Sequence, residues 1–239
     1  MADSRISRRD VAFALPILPV AMSLSGCQPN RPDKDVPFLP ANAERMTAPN
    51  AAKNPGQLVE LVTLDPSIRL DMRYASTNNF TGNVLYSQPR AFMARAAADA
   101  LLRAHKRARA DGFGFNIFDA YRPWRVTKKL WDATPRGPKK NYVANPKRGS
   151  RHNRGCAVDM TLYDLASGQL VEMPSGFDDF SEKAHRDYAD DTPAAAANSR
   201  RLERYMTAEG FFGMSNEWWH FDFTGWEKFP VQDVPFEQL

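Results

Sequence analysis

The order of strand-like and helical segments constrains the fold of this chain more than any other feature of its sequence. Phe115–Phe118 and Trp218–Phe223 show the apolar or alternating pattern of β-strands. Ala91–Ala110 is rich in Ala, Leu and Arg, and Ser199–Glu209 places apolar residues on one face, so both predict helices. Because hairpin signals lie between these segments, the sequence predicts an α+β fold, a single domain with a mainly antiparallel sheet and flanking helices.

Three further segments complete the predicted sheet. Residues 58–68 predict a first strand and turn, and Leu70–Tyr74 alternates as a second strand does. Ala157–Leu162 and Leu170–Met173 flank a Ser167-Gly168 turn, which predicts a hairpin.

Residues 1–26 are predicted to be an export signal and not part of the fold. Arginines precede the apolar stretch Val11–Leu24, and the pair Arg8-Arg9 is similar to a twin-arginine signal. Small residues before Cys27 resemble the lipobox of bacterial lipoproteins, in which the cysteine is lipidated and becomes the first residue after cleavage. The alternative is an ordinary cleaved signal peptide without lipidation. Either signal predicts an exported protein, periplasmic or held in the cell envelope.

Residues 27–56 are rich in Pro, Asn, Ala and charge and predict a flexible tether, which leaves residues 57–239 as the folded domain. A lipid on Cys27 would attach this domain to a membrane surface. The sequence has 2 cysteines, so Cys156 would then have no disulfide partner. We expect Cys156 to be packed inertly.

The charge balance argues against a nucleic-acid partner. The net charge is +4, with 32 basic and 28 acidic residues, and the basic residues are scattered along the chain. A nucleic-acid-binding domain usually gathers its basic residues into one patch.

Two of the 4 histidines are candidate metal ligands because of the residues around them. His152 is followed by Asp159, and His220 is preceded by Glu217 and two tryptophans. Two imidazoles and one carboxylate hold zinc well and leave a position open for water, and a nearby carboxylate such as Glu217 can take the proton of that water. On chemical grounds alone, the alternative stays open that His220 is a core histidine, as histidines beside tryptophans often are. His105 and His185 lie among charged residues and are expected at the surface.

Two motifs then resemble those of a known family, the zinc-dependent D-alanyl-D-alanine dipeptidases within the zinc D,D-peptidase group. The motifs are S-x-H-x-x-G-x-A-x-D at residues 150–159 and E-x-W-H at residues 217–220. Tyr74, residues 79–82, Asp119–Pro123 and Phe177-Asp178 also match the family pattern, in the family's order. The resemblance implies a zinc D,D-peptidase-like fold and one Zn²⁺ per chain.

The resemblance also implies roles for individual residues. His152, Asp159 and His220 match the zinc ligands, and Glu217 matches the catalytic acid and base. Arg122 matches the arginine that stabilises the oxyanion. Residues near the ends of the substrate are Tyr74 and Asp178 at its ammonium and Ser150 at its carboxylate. Arg122 could instead cap a turn, Tyr74 could be a core residue, and Asp179 could replace Asp178 as the ammonium ligand.

Two departures from the family pattern bear on specificity and reactivity. Cys156 stands where a small residue is usual, and the segment from Arg122 to Ser150 is shorter than in some members. A shorter segment leaves open whether longer peptides enter the site.

The leading hypothesis is hydrolysis of the small dipeptide D-alanyl-D-alanine in cell-wall peptide turnover. The alternative is a zinc D,D-carboxypeptidase that trims peptidoglycan stem peptides, and a third is a binding lipoprotein without catalysis.

Overall fold

A five-stranded sheet forms the centre of the computed structural model, which describes residues 56–239. Its strands are β2 (Arg69–Leu70), β4 (Phe113–Asp119), β5 (Ala157–Asp164), β6 (Phe211–Met214) and β7 (Glu217–Phe223). They lie in the order β2-β4-β5-β7-β6. Only the β2–β4 pair in this sheet is parallel. The mainly antiparallel sheet and its flanking helices confirm the predicted α+β fold class.

Among the described residues, two further strands and four α-helices lie outside this sheet. They are β1 (Leu58–Glu60), β3 (Phe92–Ala94), α1 (Leu61–Leu64), α2 (Arg95–Ala110), α3 (Trp124–Ala133) and α4 (Pro193–Thr207). β1 and β3 pair antiparallel in a separate two-stranded sheet. The predicted helix 91–110 therefore begins only at Arg95, since strand pairing overrides the helix propensity of the residues before it.

Helix α2 packs against β4 and α4 through a stripe of small and apolar side chains. Ala97, Leu101, Ala104 and Ala108 on this stripe are fully buried. His105 lies on the same stripe and is also buried, so the expectation that it faces solvent is wrong. Its position at i+4 from Leu101 and i+1 from Ala104 puts it on the core side of the helix.

Several local predictions were wrong at their boundaries. Helix α4 begins at Pro193 and not at Ser199, because the Thr192 hydroxyl accepts a hydrogen bond from the Ala195 amide and caps the earlier turn. The predicted strand 70–74 is reduced to the end of β2, and Arg73–Ala75 forms a 3-10 turn. The predicted hairpin after β5 is reduced to one bridge between Tyr163 and Leu170. Strand β6 was missed.

The register of the three central strands brings polar residues into one row. Asp119 at the end of β4 pairs with Asp159 in β5, and Asp159 pairs with His220 in β7. Because cross-strand partners lie side by side on one face of a sheet, this register places three polar side chains next to one another at the end of β4.

The signal peptide 1–26, Cys27 and the predicted tether up to residue 55 lie outside the described residues. Within residues 56–239, no helix combines the length and the apolar character that crossing a membrane requires.

Candidate metal centre and its surroundings

His152, Asp159 and His220 converge at the end of β4, where Asp119 pairs with Asp159. One ligand atom from each lies within 4.8 Å of the others, and all three residues are buried. The His220 Nδ1 atom lies 2.8 Å from Asp159 Oδ1, and the His152 Nε2 atom lies 3.3 Å from His220 Nδ1. β5 and β7 supply Asp159 and His220, while a 3-10 turn before β5 supplies His152. These three residues are the metal ligands predicted from the motifs, and the fold brings them together.

Each imidazole is oriented through its second nitrogen. His152 Nδ1 lies 2.7 Å from the carbonyl oxygen of Ala120, and His220 Nε2 lies 3.0 Å from Asp222 Oδ1. The other carboxylate oxygen of Asp222 lies 3.2 Å from the Arg151 guanidinium. Because metal-binding histidines usually donate their free N–H to a carbonyl or carboxylate, this arrangement directs His152 Nε2 and His220 Nδ1 toward a shared ion.

The charges around these donors favour a bound cation. Burial opposes a protonated His220 ring, yet the carboxylates of Asp222 and Asp159 hold its pKa well above the usual range. Burial likewise opposes ionisation of Asp159, but the rings of His152 and His220 hold its pKa well below the usual range. Two imidazole nitrogens and one carboxylate oxygen at this spacing fit a divalent transition metal.

Glu217 lies beside the ligands on the same strand. Its Oε2 atom is 3.9 Å from His220 Nδ1, and its side chain is mostly buried. Burial raises the pKa of Glu217 to about 7. A carboxyl group with a pKa near neutrality can both accept and return a proton, as general acid–base catalysis requires.

Arg122 points into the same region and is fixed by Asp119. Its Nε atom donates to Asp119 Oδ2 at 2.8 Å, and its Nη2 atom lies 3.7 Å from Asp159 Oδ2. The Tyr86 hydroxyl donates to the other oxygen of Asp119 at 2.5 Å. Although burial opposes its charge, the carboxylates of Asp119 and Asp159 raise the pKa of Arg122, which therefore stays cationic. The alternative of a simple turn cap does not account for these side-chain contacts.

The residues predicted at the substrate ends occupy two places near the cluster. The Tyr74 hydroxyl donates to the Asp178 carboxylate at 3.2 Å, across 104 positions of the chain. Burial and the negative charge of Asp159 raise the pKa of Asp178 well above its usual range. Asp178 is also the one non-glycine residue within 56–239 with a positive φ, at 60°. Ser150 is buried, and its Oγ atom accepts the backbone N–H of His152 at 3.2 Å.

Three residues that contact the site residues or their partners were not predicted from the sequence. Asp119 lies in a matched segment but received no role, and Tyr86 had no signal at all. Asp222 follows His220 by two residues on a strand, and residues at that spacing face the same side, so this alternation could have identified it. Cys156 is fully buried and burial raises the pKa of its thiol to about 12, in keeping with inert packing.

This α+β fold with a buried two-histidine, one-aspartate centre and an adjacent glutamate defines a metallopeptidase-type site. A family model described as D-ala-D-ala dipeptidase matches residues 54–236, and the chain belongs to this family. The predicted resemblance is therefore confirmed.

Two curated relatives at 36% identity support this assignment. The D-alanyl-D-alanine dipeptidase of Escherichia coli (strain K12) is 36% identical over 175 residues, which cover 73% of this chain and 89% of that protein. The enzyme of the same name from Enterococcus faecium is 36% identical over 171 residues, covering 64% and 85% of the two chains. Among solved structures, the vancomycin resistance D,D-dipeptidase VanXYg, in complex with a D-Ala-D-Ala phosphinate analog, has a TM-score of 0.39 and 20% identity, over 57% of this chain and 52% of that chain.

Proposed function

We propose that this protein is a zinc-dependent dipeptidase that hydrolyses D-alanyl-D-alanine to two molecules of D-alanine. The observation that carries the proposal is the buried His152, Asp159 and His220 cluster with Glu217 Oε2 3.9 Å from His220 Nδ1. Membership of the D-ala-D-ala dipeptidase family supports the substrate.

The three clustered side chains would hold the zinc through His152 Nε2, His220 Nδ1 and a carboxylate oxygen of Asp159. A zinc ion bound there would act as a Lewis acid that polarises the substrate carbonyl. It would also lower the pKa of water to about 7, so that water can give up a proton at neutral pH. Asp222 and the Ala120 carbonyl would keep the two imidazoles in the orientation that binding needs.

Glu217 would transfer the proton, and Arg122 would stabilise the negative charge that develops during hydrolysis. The Glu217 carboxylate accepts a proton as water attacks the scissile carbonyl carbon, and it then returns that proton to the amide nitrogen as the C–N bond breaks. Arg122 remains cationic beside Asp119, so it can donate to the oxygen that gains negative charge. Water adds across one peptide bond, and two free amino acids leave.

Asp178 would distinguish a free dipeptide from a longer peptide. Its carboxylate accepts the Tyr74 hydroxyl, and burial raises its pKa because the ionised form is poorly solvated. A cationic partner such as a substrate ammonium would stabilise that ionised form. Ser150, beside His152, would lie toward the substrate carboxylate. A substrate with a blocked amine would leave Asp178 without a partner.

The test is release of D-alanine by purified, zinc-loaded protein from D-alanyl-D-alanine and from an N-acylated D-alanyl-D-alanine peptide. We expect release from the free dipeptide, abolished in Glu217→Gln and retained in the exposed control Glu227→Gln. We expect Asp178→Asn to raise KM for the free dipeptide, with Asp179→Asn as the matched control. Preferred release from the acylated peptide would favour the D,D-carboxypeptidase alternative, and metal-independent or absent release would overturn the proposal.

We also propose that the protein is an exported lipoprotein attached through Cys27, on the basis of the sequence of residues 1–27. Mass spectrometry of the membrane-bound protein would show a lipid-modified Cys27 at its N-terminus. A cleaved chain without lipid would leave only the export proposal standing.

A further inference from the structure

The pairing of β6 with β7 is interrupted beside the metal cluster. Gly213 pairs with Phe221, but the next residue, Met214, pairs with Glu217. Trp218, Trp219 and His220 therefore form a bulge in β7 that has no partner residues in β6. β-Bulges redirect side chains and are frequent near active sites.

This bulge changes which side chains share a face. In a regular strand, residues three positions apart point to opposite faces of the sheet. Glu217 and His220 have this spacing, yet Glu217 Oε2 lies 3.9 Å from His220 Nδ1. The bulge thus allows the proposed base and a proposed zinc ligand to face the same point.

Arg186 occupies the gap that the bulge leaves between the strands. Its Nε atom donates to the Met214 carbonyl at 2.8 Å, and its Nη2 atom donates to the His220 carbonyl at 2.8 Å. Its backbone N–H donates to the Ser215 carbonyl at 3.0 Å. A regular ladder would pair Met214 with His220 after Gly213 and Phe221, so the guanidinium bridges the two residues whose direct pairing is lost.

The surroundings of Arg186 are shaped to receive its guanidinium. The Arg186 Cζ atom lies 4.3 Å from the centre of the Phe221 ring. A Cβ atom at position 213 would lie 2.3 Å from Arg186 Cζ, so only glycine leaves the necessary space there. Burial lowers the pKa of Arg186 to about 10, and the side chain remains charged at neutral pH.

The guanidinium is held in place although one of its groups is unsatisfied. Arg186 Nη1 is buried and has no hydrogen-bond partner among residues 56–239. An unpaired buried donor is unfavourable for stability, so a contribution to stability alone is a poor explanation for this arrangement.

We propose that Arg186 is a positioning residue that holds the β7 bulge and thereby sets Glu217 and His220 relative to each other. Arg186 does not touch the substrate in this proposal, and it acts through the backbone carbonyls of Met214 and His220. The proposal rests on the proposed function for its catalytic consequence, but its effect on metal binding can be measured without activity.

The first test replaces Arg186 with methionine, which keeps an unbranched apolar stem and removes the guanidinium donors. We expect zinc affinity and kcat each to fall by about 10- to 100-fold, as for other residues that orient metal ligands. KM should change little, since the substrate contacts remain. The matched control is Arg201→Met, because Arg201 Cζ lies 4.5 Å from the Phe113 ring and away from the cluster.

A second variant tests the same idea without removing the arginine. Gly213→Ala would displace only the flexible end of Arg186, so the domain should fold. We expect it to reproduce the loss seen in Arg186→Met, and the double variant should be no worse than Arg186→Met alone.

Added methylguanidinium should restore part of the kcat of Arg186→Ala, whereas methylammonium should not.

The outcomes separate the two proposals. Wild-type zinc affinity in both Arg186→Met and Gly213→Ala would overturn the role of Arg186, whatever the substrate is. If Arg186→Met fails to fold, the zinc affinity of Gly213→Ala decides. A wild-type protein that binds zinc but releases no D-alanine from D-alanyl-D-alanine would overturn the proposed function and leave the measured effect of Arg186 on zinc affinity intact.

Discussion

Replacing Asp222 by alanine should weaken zinc binding without changing any proposed ligand. Asp222 is almost fully buried, and its Oδ1 atom lies 3.0 Å from His220 Nε2 while its Oδ2 atom lies 3.2 Å from the Arg151 guanidinium. The variant would leave the His220 N–H buried without an acceptor and free the ring to turn. The loss should therefore appear in the affinity for the metal.

The expected size follows from the contact that is removed. A hydrogen bond to a charged group contributes about 1.5–3 kcal/mol. At about 1.4 kcal/mol for each factor of ten, zinc affinity should fall about 10- to 100-fold. Asp222→Asn keeps an oxygen acceptor for His220 but loses the negative charge, so its zinc affinity should lie between those of wild type and Asp222→Ala.

Competition with a chromogenic chelator would measure the zinc dissociation constants of the three proteins. The control is Asp111→Ala, because Asp111 accepts the Tyr205 hydroxyl before β4 begins, whereas the metal cluster lies at the other end of that strand. If Asp222→Ala binds zinc as tightly as wild type, His220 is oriented by its strand alone and our reasoning about Asp222 is wrong.

Two further predictions concern buried groups outside the cluster. Burial raises the pKa of the Cys156 thiol to about 12. In a folded Cys27→Ser chain at pH about 8, Cys156 should therefore not react with a thiol reagent, and it should react once the chain is unfolded. Rapid reaction in the folded state would contradict inert packing. Burial lowers the pKa of His105 although Asp65 opposes this, so the folded state binds fewer protons than the unfolded state and stability should fall as pH drops below about 6.5. His105→Leu should lack this part of the loss in urea unfolding at pH about 7.5 and about 5.5, and an identical pH dependence in both proteins would refute it.

Much of the cluster could be predicted because the relevant information is local. His152 and Asp159 lie within one ten-residue motif, and Glu217 and His220 lie within one strand. Imidazole and carboxylate chemistry then limits what these residues can do. The segments that became β4 and β7 were also recognisable, because strongly apolar or alternating patterns report burial on a sheet.

Other features depended on contacts between distant parts of the chain. Phe92–Ala94 form β3 and do not join helix α2, because they pair with β1, a contact that helix propensity does not include. His105 is buried because α2 turns that stripe toward β4, whereas its charged sequence neighbours suggested solvent.

The sequence by itself determined the family, the fold class and the identity of the candidate ligands, since these follow from residue type and spacing along the chain. Only the tertiary structure decided how they meet. The register aligns Asp119, Asp159 and His220 across three strands, and the β7 bulge turns Glu217 toward His220. Arg186 enters the gap from a segment more than twenty residues away, and no periodicity in a linear sequence encodes that contact, because hydrogen bonds between separate segments form only once the strands have paired.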